Sequence, residues 1–150
     1  MDLKKIPKLK ILIFRYSNLK KLPDNIGVLN NLEAVSFSGN KLINVDNIGD
    51  LTNLKYLSFR RNKTLKDLPA SINKLKCMQL LDISGSGMLR LRDEVSECVQ
   101  LKSILANASK IEMITDKIGE LYNLRILNLG TNKIKNLPIS IGYLENLIDL

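Results

Sequence analysis

From Leu9 onward, apolar positions return in one fixed order about every 23 residues. Laid against itself, the chain divides into six units, 9–31, 32–53, 54–77, 78–100, 101–123 and 124–146, and residues 147–150 open a seventh. The second unit is one residue short of that period and the third one residue long. The first position holds Leu9, Leu32, Leu54, Met78, Leu101 and Leu124; the fourth holds Leu12, Val35, Leu57, Leu81, Ile104 and Leu127; the sixth holds Phe14, Phe37, Phe59, Ile83, Ala106 and Leu129. A polar column follows, Ser17, Asn40, Asn62, Ser86, Ser109 and Asn132, and then further apolar columns that end each unit at Leu29, Leu51, Leu75, Cys98, Leu121 and Leu144. Self-similarity at a fixed period marks a stack of identical supersecondary units, none of which buries its apolar face alone.

Within each unit the x-L-x-L stretch alternates at period two, which reads as a short strand with one buried face. Strands are expected near 11–14, 34–37, 56–59, 80–83, 103–106 and 126–129. Because every unit returns the chain to the same place, neighbouring strands should pair in parallel. The turn after each strand leaves backbone groups unpaired, and an Asn side chain carries both the acceptor and the donors to satisfy them. Ser17, Asn40, Asn62, Ser86, Ser109 and Asn132 are therefore expected to form a ladder, with units four and five held less tightly because Ser86 and Ser109 offer only a hydroxyl. Pro23, Pro69 and Pro138 suit a first helical position on the return segment. Gly27, Gly49, Gly119 and Gly142, at one repeat position, suggest a tight path or close packing.

The repeat L-x-x-L-x-L-x-x-N-x-L is the leucine-rich-repeat signature. It implies an α/β repeat fold: a right-handed leucine-rich-repeat solenoid with a concave parallel β-sheet and short helical or irregular convex segments. Three segments, Leu22-Pro23-Asp24-Asn25-Ile26-Gly27, Leu68-Pro69-Ala70-Ser71-Ile72 and Leu137-Pro138-Ile139-Ser140-Ile141-Gly142, resemble the L-P-x-x-I-G repeats of one intracellular subclass. Scribble/Erbin-like proteins, Ras-binding scaffolds and plant Ras-group proteins carry such repeats. The resemblance implies a cytoplasmic or membrane-peripheral interaction module whose partner is a small GTPase or another signalling protein. Asp46, Arg92 and Thr115 stand where the Pro would be in units two, four and five, and Cys98 replaces a core Leu.

Composition narrows the function classes. The chain of 150 residues has no histidine and two cysteines. That removes His-based catalysis and His-containing zinc sites, and leaves no disulfide scaffold. No nucleophile–base set emerges, so neither enzyme chemistry nor a cofactor is expected. A formal charge of +8 suits acidic partners or anionic surfaces, and the plainer reading is solvated lysines that keep an exposed surface soluble. Aromatic residues make up only 5%, too few for base-stacking platforms, so nucleic acid is not an expected partner. No apolar run is long enough to span a bilayer, and residues 1–15 lack the features of a signal peptide. Residues 1–8, with Leu3, Ile6 and Pro7, make a poor cap, and Leu150 falls inside a strand signature. The sequence therefore reads as one repeat domain, a piece of a longer protein, with self-association through uncapped ends.

Recognition should come from the variable positions around the strands. Arg15, Tyr16, Lys55, Tyr56, Ser58, Arg60, Arg61 and Asp82 are the candidate contacts on the concave face. Tyr and Arg dominate binding energy at many interfaces. Between units one and three, Ala34, Ser36, Ser38 and Gly39 would leave a shallow recess. The expected function is scaffold or adaptor binding of a protein partner; the alternative is a sensing or autoinhibitory region of a larger signalling enzyme or immune receptor. Ser84-Gly85-Ser86-Gly87 lacks the Lys-Ser/Thr of a phosphate loop and reads as a strand-to-turn junction. Of two glycosylation sequons, the one at Asn62 conflicts with its place in the ladder, and the one at Asn107 hints at secretion.

Overall fold

A computed structural model describes residues 3–150. Among these residues there are eight strands: β1 Ile11–Ile13, β2 Ala34–Ser36, β3 Tyr56–Ser58, β4 Leu80–Asp82, β5 Arg90–Leu91, β6 Ser103–Leu105, β7 Met113–Ile114 and β8 Ile126–Asn128. Six of them form one parallel sheet in the order β1-β2-β3-β4-β6-β8, and β5 pairs with β7 in a second, two-stranded sheet. The register follows the repeat: Leu12 faces Val35, Val35 faces Leu57, Leu57 faces Leu81, Leu81 faces Ile104 and Ile104 faces Leu127. Near the end, Ile126 bridges Asp149 in parallel, continuing the same pairing. This is the leucine-rich-repeat solenoid.

The columns of the repeat become the layers of the core. Leu32, Leu54, Met78, Leu101 and Leu124 are fully buried, as are Leu57, Leu81, Ile104 and Leu127. Phe37 and Phe59 stack with ring centroids 6.2 Å apart. Each such side chain contributes about 1.5–3 kcal/mol by leaving water, but only because the neighbouring coil closes over it. At the N-terminal side, Leu3 is buried on a 3-10 turn, Leu3–Lys5, and covers part of the first coil. Met1 and Asp2, part of the stretch read as a poor cap, lie outside the described residues.

The return segments are 3-10 turns, at Ile26–Val28, Asp46–Asp50, Ala70–Lys74, Ile118–Glu120 and Ile139–Tyr143; α1, Asp93–Ser96, replaces one in unit four. The prolines do not sit at a first helical position. Pro69 and Pro138 are N-caps with extended backbone (ψ 156° and 144°), and Pro23 lies three residues before its helix. In all three units the Pro carbonyl accepts from the N–H of Ile26, Ile72 or Ile141. Pro therefore fixes the corner before the turn, where its ring needs no donor. The glycine column marks close packing at Gly27, Gly49 and Gly119 but not at Gly142, where a Cβ would meet nothing within 4 Å. A Cβ on Gly49 would lie 2.3 Å from the Ser71 carbonyl, and one on Gly119 2.5 Å from that of Ser140, both in the next coil.

Polar bonds between coils are concentrated after the strands. Asn40 Oδ1 accepts from the N–H groups of Ser17 and Leu19, at 3.0 Å each, while Nδ2 donates to the carbonyls of Phe14 and Phe37. Asn62, fully buried, accepts from Leu42 N–H and donates to Phe37 and Phe59 carbonyls. Asn132 likewise ties Ile111 and Ala106 to its own coil. Ser109 manages less: it donates to the Ile83 carbonyl and accepts from Ser86 N–H. Ser17 is not a rung, since its hydroxyl donates only to the Arg15 carbonyl two residues back.

Ser86 is not a rung to the coil before it either, its hydroxyl meeting Met88 N–H and Ser109. Gly87 takes over the link, donating its N–H directly to the Asn62 carbonyl at 3.1 Å. A Cβ there would lie 2.3 Å from the Lys63 carbonyl, so only glycine lets the two backbones meet. In unit three the extra residue, Thr64, is absorbed in the turn and its hydroxyl donates to the Leu42 carbonyl at 2.7 Å.

A second asparagine ladder runs just before the strands. Asn31, Asn53, Asn123 and Asn146 donate to the carbonyls of Pro7, Asn30, Val99 and Tyr122, each one coil back. Cys77 and Gln100 occupy the same position in the two middle units and make no such bond. Two substitutions should therefore act in opposite directions. Asn62→Ala is expected to cost about 1–3 kcal/mol, since it leaves buried backbone groups unpaired. Cys77→Asn is expected to add about 0.5–1 kcal/mol by reaching the Thr52 carbonyl at the protein surface. Urea melts of both variants check this, and equal midpoints for all three proteins would show that neither ladder is structural.

Candidate functional site

The outer face of the main sheet is set by the strand alternation. In each strand the central residue points into the core, and the residues on either side of it point outward. Ile11 and Ile13 are each 59% exposed and Tyr56 47%, large apolar areas that the core does not need. Between them β2 carries only Ala34 and Ser36 outward. The result is a hollow of about 190 Å³ floored by Ala34 and Ser36 and walled by Ile11, Ile13, Tyr56 and Leu80.

Polar groups along the C-terminal edge of these strands form a single connected chain. Arg15 Nε donates to Ser36 Oγ at 3.0 Å. Ser36 Oγ lies 2.9 Å from Ser38 Oγ, which lies 3.0 Å from Ser58 Oγ. Ser58 Oγ then donates to Asp82 Oδ2 at 3.3 Å. Each hydroxyl has one proton, and the cation at one end can only donate while the carboxylate at the other can only accept. The chain therefore has one direction: Arg15 to Ser36, to Ser38, to Ser58, to Asp82. Bonds that polarise one another in this way are stronger than isolated ones, and charged ends add to the effect. Asp82 Oδ1 also accepts from Ser84 N–H. Four coils are thereby locked in register beneath the exposed face.

The turn after each strand carries a residue with positive φ: Tyr16, Gly39, Arg61, Gly85, Ala108 and Thr131. Glycine adopts that conformation freely, but Thr131, at φ 58°, is held there against its preference. The N–H groups of Tyr16, Gly39, Arg61, Gly85 and Ala108 each donate to a carbonyl in the next coil, which keeps the turn in place. The alternation of large and small residues has a consequence. The Tyr16 ring lies over Gly39, where a Cβ would come within 2.3 Å of it, and its hydroxyl accepts from Arg61 Nη1 at 3.1 Å.

At the opposite edge, Glu33 is clamped between Lys10 at 3.0 Å and Lys55 at 2.8 Å. Hydrogen bonds from Lys55 and then Lys10 hold the Glu33 carboxyl down to about 2, and the same contact raises Lys55. Further along this column, Lys102 and Arg125 have no side-chain ion pair among the described residues.

The eight candidate contacts thus fall into separate groups. Arg15, Ser58 and Asp82 share the hydrogen-bonded chain; Tyr16 and Arg61 pair with each other; Lys55 is occupied by Glu33; Tyr56 walls the hollow. Arg60 makes no side-chain hydrogen bond or ion pair among the described residues, and the two Nη atoms of Arg15 are likewise unpartnered. Glu33, Lys10, Ser36 and Ser38 belong to these networks but were not among the candidate contacts. The signal for them lay in reading positions down the stack, where Lys10-Glu33-Lys55 alternates in sign and Ser36 sits beside Ser58.

The remaining motifs have structural places. Asn62 is buried in the ladder, which closes that sequon to a glycan. Ser84 to Gly87 form the strand-to-turn junction of unit four. Cys98 is buried, its thiol pushed up to about 12 by burial and donating to the Ile72 carbonyl, while Cys77 is exposed; neither is in a disulfide. Among the described residues, no helix is long and apolar enough to cross a membrane.

No protein-family model matches the sequence, and no curated protein matches it. Solved structures do. A leucine-rich-repeat protein of Leptospira interrogans superposes with a TM-score of 0.91 at 31% identity, over 99% of this chain and 38% of that one. An internalin of Listeria monocytogenes, InlF, gives 0.83 at 20% identity, over 97% of this chain and 41% of that one, which is a likeness of fold. The plant peptide hormone receptor RGFR1, solved in complex with RGF2, gives 0.80 at 26% identity, over 99% of this chain and 29% of the receptor. The chain thus spans well under half the length of the proteins it matches.

The Glu33 clamp sets a pH dependence. A carboxyl with a lowered folded-state value contributes stability above its unfolded value and loses it as pH falls toward the folded one. The contribution is therefore present above pH about 4.5 and fades toward about 2. Carbon-13 NMR titration should place the Glu33 midpoint near 2, and Lys55→Ala should move it upward. A midpoint in the ordinary carboxylate range would mean the clamp is open in solution.

Proposed function

We propose that this leucine-rich-repeat segment is a protein-interaction module that receives its partner on the N-terminal half of the concave face. The observation that carries the proposal is the hollow over Ala34 and Ser36, walled by exposed Tyr56, Ile11 and Ile13 and edged by arginines with unused donors. Such a surface is already ordered before a partner arrives. The sheet and the Arg15-to-Asp82 chain hold it, so little side-chain freedom is left to lose on binding. A tyrosine beside an arginine supplies large contact area together with forked donors.

The module serves as a scaffold or adaptor in intracellular signalling, located in the cytoplasm, and binds rather than catalyses. Support comes from the two unpaired cysteines and from the three L-P-x-x-I segments, whose resemblance favours a signalling protein such as a small GTPase as partner. A second reading is the sensing region of a larger receptor. The likeness to the plant peptide hormone receptor, solved with RGF2, favours it.

Partners captured from the source cells, then titrated calorimetrically as purified proteins, test the site. Tyr56→Ala and Arg60→Ala should each weaken binding by about 1–3 kcal/mol. Asn128→Ala, on the far strand of the same face, should change it little. A partner indifferent to Tyr56 and Arg60 places the interface elsewhere.

A further inference from the structure

The chemistry of the surface says what kind of segment fits it, on the premise that the concave face is the binding site. The hollow is smaller than the roughly 300–1,000 Å³ that small-molecule sites usually need, and it is open. It has room for one side chain, and its lining is mostly aliphatic and aromatic, with Arg15, Ser36 and Ser58 as the polar exceptions. Around it the charges are unbalanced. Asp82 and Glu33, carboxylates on or next to the strands that line the hollow, are both spent inside the protein, one on Ser58 and Ser84, the other on Lys10 and Lys55. The arginines are not. Among the described residues, Arg15 uses only Nε, Arg61 uses only Nη1, and Arg60 uses none of its side-chain donors.

We infer that this face recognises an extended, acidic segment of a partner protein, which seats one aliphatic or aromatic side chain in the hollow over Ala34 and sets a neighbouring carboxylate against Arg60 and the Nη atoms of Arg15. The cationic edge lies within a residue or two of the hollow along the same strands, β1 and β3, so a segment crossing the strands meets both at once. Arginine suits this role because its planar fork matches a carboxylate bidentately. The polarised serine chain contributes to it. With Nε committed to Ser36, the Arg15 guanidinium is fixed in orientation and presents its two remaining nitrogens outward. The formal charge of +8 adds a field that draws an acidic segment in.

A random peptide library displayed on phage, panned against the full chain, tests the inference. Enriched peptides should carry Asp or Glu within a few residues of Leu, Ile, Met or Phe. A fluorescent synthetic copy of one should lose about tenfold or more in affinity on Arg60→Glu, and as much on Ala34→Phe, which fills the hollow. Thermal melts check that both variants fold, and changing the peptide's acid to Lys should recover binding to the Arg60→Glu protein. Neutral or basic peptides that still depend on Tyr56 would overturn the acidic inference and leave the concave-face reading intact. Peptides indifferent to Tyr56, or no enrichment at all, would count against both. Tighter binding of single-stranded oligonucleotides or phosphatidylserine vesicles, lost on Arg60→Glu, would assign the arginines to a polyanion and overturn the inference.

Discussion

Each coil of this protein completes its hydrogen bonding only through the coil beside it. Three-residue strands bond to their neighbours, the turn that follows sends its N–H into the next coil, and asparagine side chains fill the sites that backbone geometry leaves open. A single coil could not bury its leucines or satisfy its turn, so structure exists only as a stack. The binding face depends on the same constraint. Its outward residues hold position because the turn column and the serine chain fix four coils against each other.

Where the repeat departs from its pattern, the structure compensates locally. Unit four has Ser86 where a rung-forming Asn would stand, and Gly87 brings the backbones into direct contact instead. Unit three gains a residue, and Thr64 turns the addition into another bond between coils. The second ladder is broken at Cys77 and Gln100, beside the Lys76–Glu97 ion pair, where Lys76 also donates to the Glu97 carbonyl. Weak and strong coils are therefore not read simply from which units keep asparagine after the strand.

Much of this was legible in the sequence because period and burial are the same thing in a solenoid. The inward columns, from Leu32 to Leu124, needed only alignment, and β1 to β8 fall where the alternation places them or, for β5 and β7, in the return path between. The corner prolines were harder. Pro69 and Pro138 occupy the position before the helix rather than within it, a shift of one residue that pattern alone does not resolve. The second asparagine ladder was visible as Asn-Leu recurring at 31, 53, 123 and 146, but its asparagines read as solvated side chains until the bonds are seen. Side-chain commitments on the outer face were not legible at all. Lys55 faces Glu33, whereas the Arg60 side chain, five residues on, has no partner among the described residues, because those outcomes depend on which residue the adjacent coil presents.

Amide hydrogen exchange, resolved by NMR, tests most directly whether the coils are coupled through side-chain rungs. The Leu42 N–H reaches only Asn62 Oδ1, while Phe59 and Ile83 donate to carbonyls of neighbouring strands. If the rungs are integral to the stack, Leu42 exchanges as slowly as Phe59 and Ile83, because all three open only when coils separate. Rapid exchange at Leu42, with Phe59 and Ile83 still protected, would show the rung opening independently and would contradict the account.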